Sequence, residues 1–159
     1  MNILITGGGC EEPIDDVRSV CNFATGKTSS LIADCLVKAG HNVICLSGYR
    51  AIKSKNCIVH TFRTFEDLKL KLEQTLSQNE FDAVIHAAAV SDYSPDFVTI
   101  DGKNYPAGSI NKIPSGKTFS VTMKQNPKLI ESVKRLSKKN CILIGFKLTD
   151  RFSDGEKFD

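Results

Sequence analysis

The residues best suited to chemistry stand together near the start of the chain, in "ITGGGCEEPIDDVRSVCNFATGKTSS" (5–30). Three glycines follow an apolar run, and Gly26-Lys27-Thr28 follows a polar, charged stretch. Glycines let backbone N–H groups approach an anion, and a helix starting at Gly26-Lys27 would present free N–H groups to a phosphate. The pattern therefore points to phosphate-ester or nucleotide chemistry. Neither common motif is complete. A dinucleotide loop needs a small residue at position 12, where Glu12 stands, and an acidic end to the second strand, which here reads "SGYR" (47–50). Arg50 could take a 2′-phosphate, which keeps an NADP-binding reductase as an alternative, beside a nucleotide-binding module without catalysis. Tyr49-x-x-x-Lys53 mimics a reductase dyad but lies just after the second strand, the wrong place for one. A P-loop needs glycine at position 21, where Cys21 stands, and must follow its strand directly.

The elements that must position these residues read as alternating strands and helices. "NILIT" (2–6), "HNVICLSG" (41–48), "CIVHTF" (57–62), "FDAVIHAAAV" (81–90) and "NCILIGFKL" (140–148) are apolar runs of strand length. Residues 26–40 carry an apolar stripe at 31, 32, 35 and 36 and end at Gly40, a fitting cap. Residues 64–78 repeat Leu68, Leu72 and Leu76, with Thr64 as N-cap and Asp67 three residues on. "NPKLIESVKRLSKK" (126–139) reads as a helix with proline in its first turn. Continuous apolar strands alternating with helices predict an α/β, three-layer, mostly parallel Rossmann-like sheet. Between them, 91–118 is rich in Gly, Pro, Ser and Asn and reads as a long ordered loop or flap after the fourth strand, followed by an alternating strand "FSVTM" (119–123). The pattern stops at "DGEKFD", at the start of what reads as a further helix, so the expectation is a single domain over 1–159 that is truncated at its C-terminus.

Bulk properties exclude several classes. Lys plus Arg number 21 and Asp plus Glu 18, a net charge of +3 that is too mild to argue for nucleic acid. No apolar run approaches the roughly 20 residues of a membrane span, and "MNILIT" lacks a basic signal-peptide start. A cytoplasmic protein without a membrane partner is expected. The six cysteines have no CxxC spacing and read as small buried hydrophobes in a reducing compartment, with Cys10 and Cys21 the most open to exposure.

Several segments together resemble the phosphopantothenoylcysteine synthetase family, the ligase domain of the bacterial coenzyme A biosynthesis flavoprotein. "TGGGCEEPIDDVRSVCNFATGK" (6–27) matches the family pattern at Gly8, Gly9, Glu12, Pro13, Asp15, Val17, Arg18, Asn22, Gly26 and Lys27. "AAVSDY" (88–93), "NKIPSG" (111–116), "NPKLI" (126–130) and "IGFKL" (144–148) follow in the family's order, so the resemblance covers essentially the whole chain. The "KIPSG" and "GFKL" variants look more like the stand-alone synthetases than the fused flavoproteins, and with no flavin domain ahead of Met1 no flavin is expected.

The resemblance implies a ligase that joins 4′-phosphopantothenate to L-cysteine with CTP or ATP and Mg²⁺, through an acyl-nucleotidylate, in a homodimer; a separate decarboxylase would act next. It implies catalytic roles for Asn22, at the carboxylate and acyl-nucleotidylate, and Lys112, at the triphosphate, with Lys117 as the fallback. Gly8, Gly9, Arg18, Asn22, Gly26, Lys27, Ala88, Ala89 and Asp92 would bind substrate. His86, Ala87, Ala88, Asp92, Lys112, Pro127, Lys128, Leu129, Ile130 and Phe146 would border the nucleotide, and no protein-held metal is implied. The Gly26-Lys27 helix start would hold one of two phosphates, that of the pantothenate being favoured because Lys112 and 126–130 already serve the nucleotide. Lys128 stands where the family has Asp, and Lys147-Leu148 where it has Ala-Glu, so the sequence leaves CTP and ATP both open. Lys157 is the nearest counterpart of the lysines that the family carries on its last helix. The "FSVTM" strand and its flap, which the parallel sheet does not need, are the expected dimer contact.

Overall fold

The computed structural model describes residues 1–147; Leu148 and Lys157 lie outside the described residues. The β-branched run at the start forms β1 (Asn2–Gly9), which continues straight through its three glycines. It is flanked by β4 (Asn42–Gly48) on one side and β6 (Ala83–Ala89) on the other. With β5 (Ile58–Phe62) and β10 (Ile142–Gly145) they make a five-stranded, wholly parallel sheet in the order β10-β6-β1-β4-β5. The chain leaves β1 toward β4 and β5, then returns to the far side of β1 for β6 and β10. A topological switch point therefore lies between β1 and β6, where ligands collect in such sheets.

Three helices cover the two faces. Helix α1 (Lys27–Lys38) packs with Ala33 against Ile3, Ile5, Val43, Cys45, Ala83 and Ile85. Its start presses so close to β1 that a Cβ on Gly7 would stand 1.8 Å from the Ser29 hydroxyl. The buried face is Ser29, Ser30 and Ala33, with Ile32, Leu36 and Val37 half-buried beside them; Leu31 and Cys35 of the expected stripe are exposed. Gly40, at φ 85°, ends the helix: the Gly40 and His41 N–H groups donate to the Val37 and Leu36 carbonyls, a Schellman arrangement. On the other face, α2 (Phe65–Gln78) buries Leu68, Leu72 and Leu76 against Leu4, Leu46 and Val84, and Thr64 Oγ1 caps it by accepting from the Asp67 N–H at 3.1 Å, both as expected. Helix α3 (Leu129–Leu136) adds Leu129 and Val133 to the same core.

Four expectations change. The glycine-to-lysine stretch contains a hairpin, β2 (Glu11–Pro13) with β3 (Ser19–Cys21), rather than being all loop. The flap is largely sheet: β7 (Tyr93–Ile100) pairs antiparallel with β8 (Lys103–Pro106) and β9 (Phe119–Gln125). Gly102 and Asp101, both at positive φ, make the tight turn that joins β7 to β8, so the polar residues that suggested a loop are a turn between strands. Helix α3 is shorter than 126–139, and Pro127 precedes its N-cap Lys128. Among the described residues β10 stands at the edge of the sheet with Ile142 and Ile144 exposed, where a buried strand was expected. Cysteines 10, 45 and 141 are buried, Cys57 is intermediate, and Cys21 and Cys35 are exposed.

Candidate active site at the carboxyl ends of β1 and β6

The three glycines lie in strand β1 rather than in a loop. Gly7, Gly8 and Gly9 pair with Ala87, Ala88 and Ala89 as the last rungs of the β1–β6 ladder. Their job is close approach. A Cβ on Gly9 would stand 2.3 Å from the Asn22 carbonyl oxygen, so the hairpin's return strand lies directly against β1. Gly8 (φ 80°) and Gly26 (φ 70°) would each drive a Cβ to 2.6 Å from the Ala51 methyl. Two glycines far apart in sequence thus let the β4–β5 loop close over the end of β1 and the start of α1. Gly8, Ala87 and residues 24–29 line a cleft of about 170 Å³ at that helix start, with the Lys27 side chain exposed beside it. A second cavity of about 330 Å³ lies on the β4 side, walled by Gly9, Asn22, Phe23, Tyr49, Arg50 and Ala51.

Asn22 follows β3 and is anchored at both ends of its residue. Its N–H donates to the Cys10 carbonyl at 3.2 Å, and its Oδ1 accepts from Ser91 Oγ at 2.9 Å. With Oδ1 occupied, the Nδ2 amide remains as a donor. Ser91 and Asp92 follow β6, and Asn126 ties them to the α3 start: its Nδ2 donates to the Ser91 carbonyl at 2.9 Å and to Ser94 Oγ at 2.7 Å, while its N–H donates to the Asp92 carbonyl at 2.8 Å. Asp92 is exposed and pairs with Lys128 at 2.6 Å; that contact holds the Lys128 ammonium above its usual pKa. Asn22, Asp92 and the 127–130 segment therefore form one connected rim. Leu129 is buried beneath it, Ile130 lies within contact of Gly145, and Phe146 stands exposed beyond β10, its N–H donating to the His86 carbonyl at 3.4 Å. The His86 ring itself is buried against Thr6 Oγ1 (Nδ1 at 2.9 Å), and burial depresses its pKa. Its neighbour Ala87 lines the cleft at the α1 start.

Sequence reasoning missed the residues that hold this rim. Buried Glu12 accepts from the Phe65 N–H (2.7 Å), at the start of α2, and from Ser94 Oγ (3.1 Å), and burial raises its carboxyl pKa. Ser91 and Asn126 each join segments far apart in the chain, so spacing gives no sign of them. Glu12 and Asn126 had a signal only as matches in the family pattern, and Ser91 only by its place in "AAVSDY".

The hairpin tip holds Arg18 and the lysine-bearing segment. Arg18 donates to Asp15 Oδ2 at 2.5 Å, and its guanidinium lies 5.9 Å from the Phe119 ring centroid. The Ile113 N–H, followed by those of Val17 and Arg18 and the Arg18 guanidinium, donates to the Asp15 carboxylate, holding its pKa down to about 2. Lys112 is exposed and has no hydrogen-bond or ion-pair partner among the described residues, whereas Lys117 is held by Asp101 at 2.6 Å. The reductase features are committed elsewhere. Arg50 is paired with Glu11 at 2.7 Å, and Lys53 donates to the Tyr49 and Ala51 carbonyls at the local turn.

The model of one family, the DNA/pantothenate metabolism flavoprotein C-terminal domain, matches residues 1–154. The chain belongs to that family. A member named as the coenzyme A biosynthesis bifunctional protein CoaBC of Thermococcus kodakarensis is 30% identical over 156 residues, which is 97% of this chain and 36% of that protein. The chain spans about a third of the length of the curated relatives it matches. Among solved structures of the family, the DNA/pantothenate metabolism flavoprotein from Streptococcus pneumoniae superposes with a TM-score of 0.79 at 30% identity, covering 92% of this chain and 69% of that one. The C-terminal domain of a CoaBC protein gives 0.67 at 26% identity, covering 89% and 61%. Membership agrees with the Rossmann-like layering and with the resemblance read from the motifs.

Proposed function

We propose that the chain is a phosphopantothenate–cysteine ligase of coenzyme A biosynthesis, working in the cytoplasm. The observation that carries the reading is the connected rim at the switch point: Asn22 bonded to Ser91, Asp92 beside it, and the α3 start tied on through Asn126. Family membership supports it.

The chemistry must turn a carboxylate, a poor electrophile, into an acyl group with a good leaving group. The phosphopantothenate carboxylate attacks the α-phosphate of CTP or ATP; pyrophosphate leaves and an acyl-nucleotidylate forms. The cysteine amine then attacks the acyl carbon, the nucleoside monophosphate departs, and the amine loses its proton. Two anions must meet in the first step, so the site needs cations and neutral donors around them. The Asn22 amide donates to the carboxylate and the acyl oxygen without adding charge. Lys112, on the flap segment and with no partner among the described residues, neutralises the triphosphate. The N–H groups at the start of α1, with Lys27, hold the pantothenate phosphate, where the helix dipole favours an anion. Gly8, Gly9, Ala88 and Ala89 leave room for the ligand to reach the backbone, and Arg18 braces the hairpin beside it. Asp92 and Lys128, with 127–130 and Phe146, border the nucleotide. Mg²⁺ binds phosphate oxygens with few protein ligands. The described residues gather no group of three His, Cys, Asp or Glu side chains, so the triphosphate would supply most of its ligands. No helix among the described residues is long and apolar enough to cross a membrane. A homodimer would use the β7–β8–β9 sheet, which exposes Tyr105, Phe119 and Met123, and a separate decarboxylase would take the product.

The test is pyrophosphate release from CTP and from ATP. Release requires phosphopantothenate, and cysteine is needed only for continued turnover. No pyrophosphate from either nucleotide, together with NADPH binding, would return the chain to the reductase class.

A further inference from the structure

Arg18 and Lys112 lie far apart in the chain, yet one buried carboxylate joins their segments. Asp15 Oδ2 accepts from the Arg18 guanidinium at 2.5 Å and from the Ile113 N–H at 3.0 Å; Oδ1 accepts from the Val17 and Arg18 N–H groups at 2.9 and 2.6 Å. The carboxylate is fully enclosed. A buried charge is tolerated only when paired and hydrogen-bonded, and here both oxygens are filled.

Backbone contacts repeat the connection around it. The Gly108 N–H donates to the Ile14 carbonyl at 2.9 Å, and the Asp16 N–H to the Ile110 and Asn111 carbonyls, each at 3.1 Å. The Ile113 side chain is buried. Lys112 is thus fixed on both sides, through the Asn111 carbonyl and the Ile113 amide, while its own side chain stays exposed. Phe119, where the segment ends, lies over the Arg18 guanidinium.

We propose that Asp15 is a positioning residue: it clamps the 108–113 segment to the hairpin tip, and so sets the place of Lys112 and Arg18 relative to each other. Asp15 touches no substrate and acts through the Ile113 amide and the Arg18 guanidinium. The inference rests on the ligase reading for its rate readout but not for its structural one.

Two variants test it. Asp15→Asn keeps the shape and loses the charge; it also turns an amide donor toward groups that are themselves donors. Asp15→Ser can still accept from the Val17 and Arg18 N–H groups as a short turn-forming hydroxyl, but it cannot reach Ile113. Asp16→Asn is the control, because the Asp16 carboxylate is exposed and bonds to nothing among the described residues. Hydrogen–deuterium exchange is measured on 108–113 and on β1 and β6. Exchange at 108–113 rises about tenfold or more in both Asp15 variants, a local opening, and stays at the wild-type rate in β1, β6 and the control. In parallel, kcat for pyrophosphate release falls about 10–100-fold while KM for the nucleotide changes by less than about threefold, as expected when a group is misplaced rather than removed. Unchanged exchange at 108–113, or an equal rise in every segment, overturns the clamp, as does a loss confined to KM. If the wild type releases no pyrophosphate at all, the ligase reading fails, and the exchange data still decide the clamp.

Discussion

At the scale of single residues, partners separate the candidate lysines. Lys117 is already neutralised by Asp101, and that contact raises its pKa; Lys112 has no such partner among the described residues. Lys112→Gln should slow pyrophosphate release about 10²–10³-fold, the usual cost of losing one charge-stabilising donor, whereas Lys117→Gln should stay within a few-fold. The reverse ranking would move the triphosphate contact to Lys117. Asp15 makes a prediction of opposite kind, about pH. Its folded-state pKa is lowered, to about 2 from an ordinary 3.8, so the stability it contributes is present above about pH 4 and is lost as pH falls toward 2. The melting-temperature gap between wild type and Asp15→Asn should therefore be full at pH 6 and shrink on titration from pH 4 to pH 2. A gap independent of pH would mean that the carboxylate's charge does not matter. Glu12 runs the other way: burial raises its pKa, so its ionised form opposes folding and protonation relieves it.

At the scale of elements, legibility followed burial. The central parallel strands β1, β4 and β6 were readable because both their faces are covered, which leaves uninterrupted apolar runs such as "NILIT" and "AVIHAAA". The α2 repeat was readable because Leu68, Leu72 and Leu76 all face one core. Leu72→Ala should accordingly cost about 2–5 kcal/mol in chemical denaturation; a loss under about 1 kcal/mol would contradict its place in that core. Of the antiparallel sheet only β9 was readable, as the alternating "FSVTM"; β7 and β8 were not. β8 is exposed along its whole length and β9 almost so, and the β7–β9 register shifts between Pro95 and Phe97. β8, with neither face buried, gives no alternation to read. The α1 stripe was misplaced for a related reason: Ser29 and Ser30 are buried because α1 sits tight on Gly7, a packing constraint that hydrophobicity does not report.

At the scale of the whole molecule, the fold brings together what the sequence scatters. The hairpin after β1, the turn after β6 and the start of α3 converge at one switch point, and the motifs of 6–27, 88–93 and 126–130 were legible because they match the family pattern in order along the chain. The struts between them, Ser91–Asn22, Asn126–Ser94 and Glu12–Phe65, were not, since each is a contact between common polar groups 32 to 69 residues apart. The central claim is that the substrate carboxylate attacks the α-phosphate. Phosphopantothenate labelled with ¹⁸O in its carboxylate, turned over with nucleotide and cysteine, tests it most directly. The account predicts one ¹⁸O in the nucleoside monophosphate and none in pyrophosphate; label in inorganic phosphate, or amide formed with no label in the monophosphate, would contradict it.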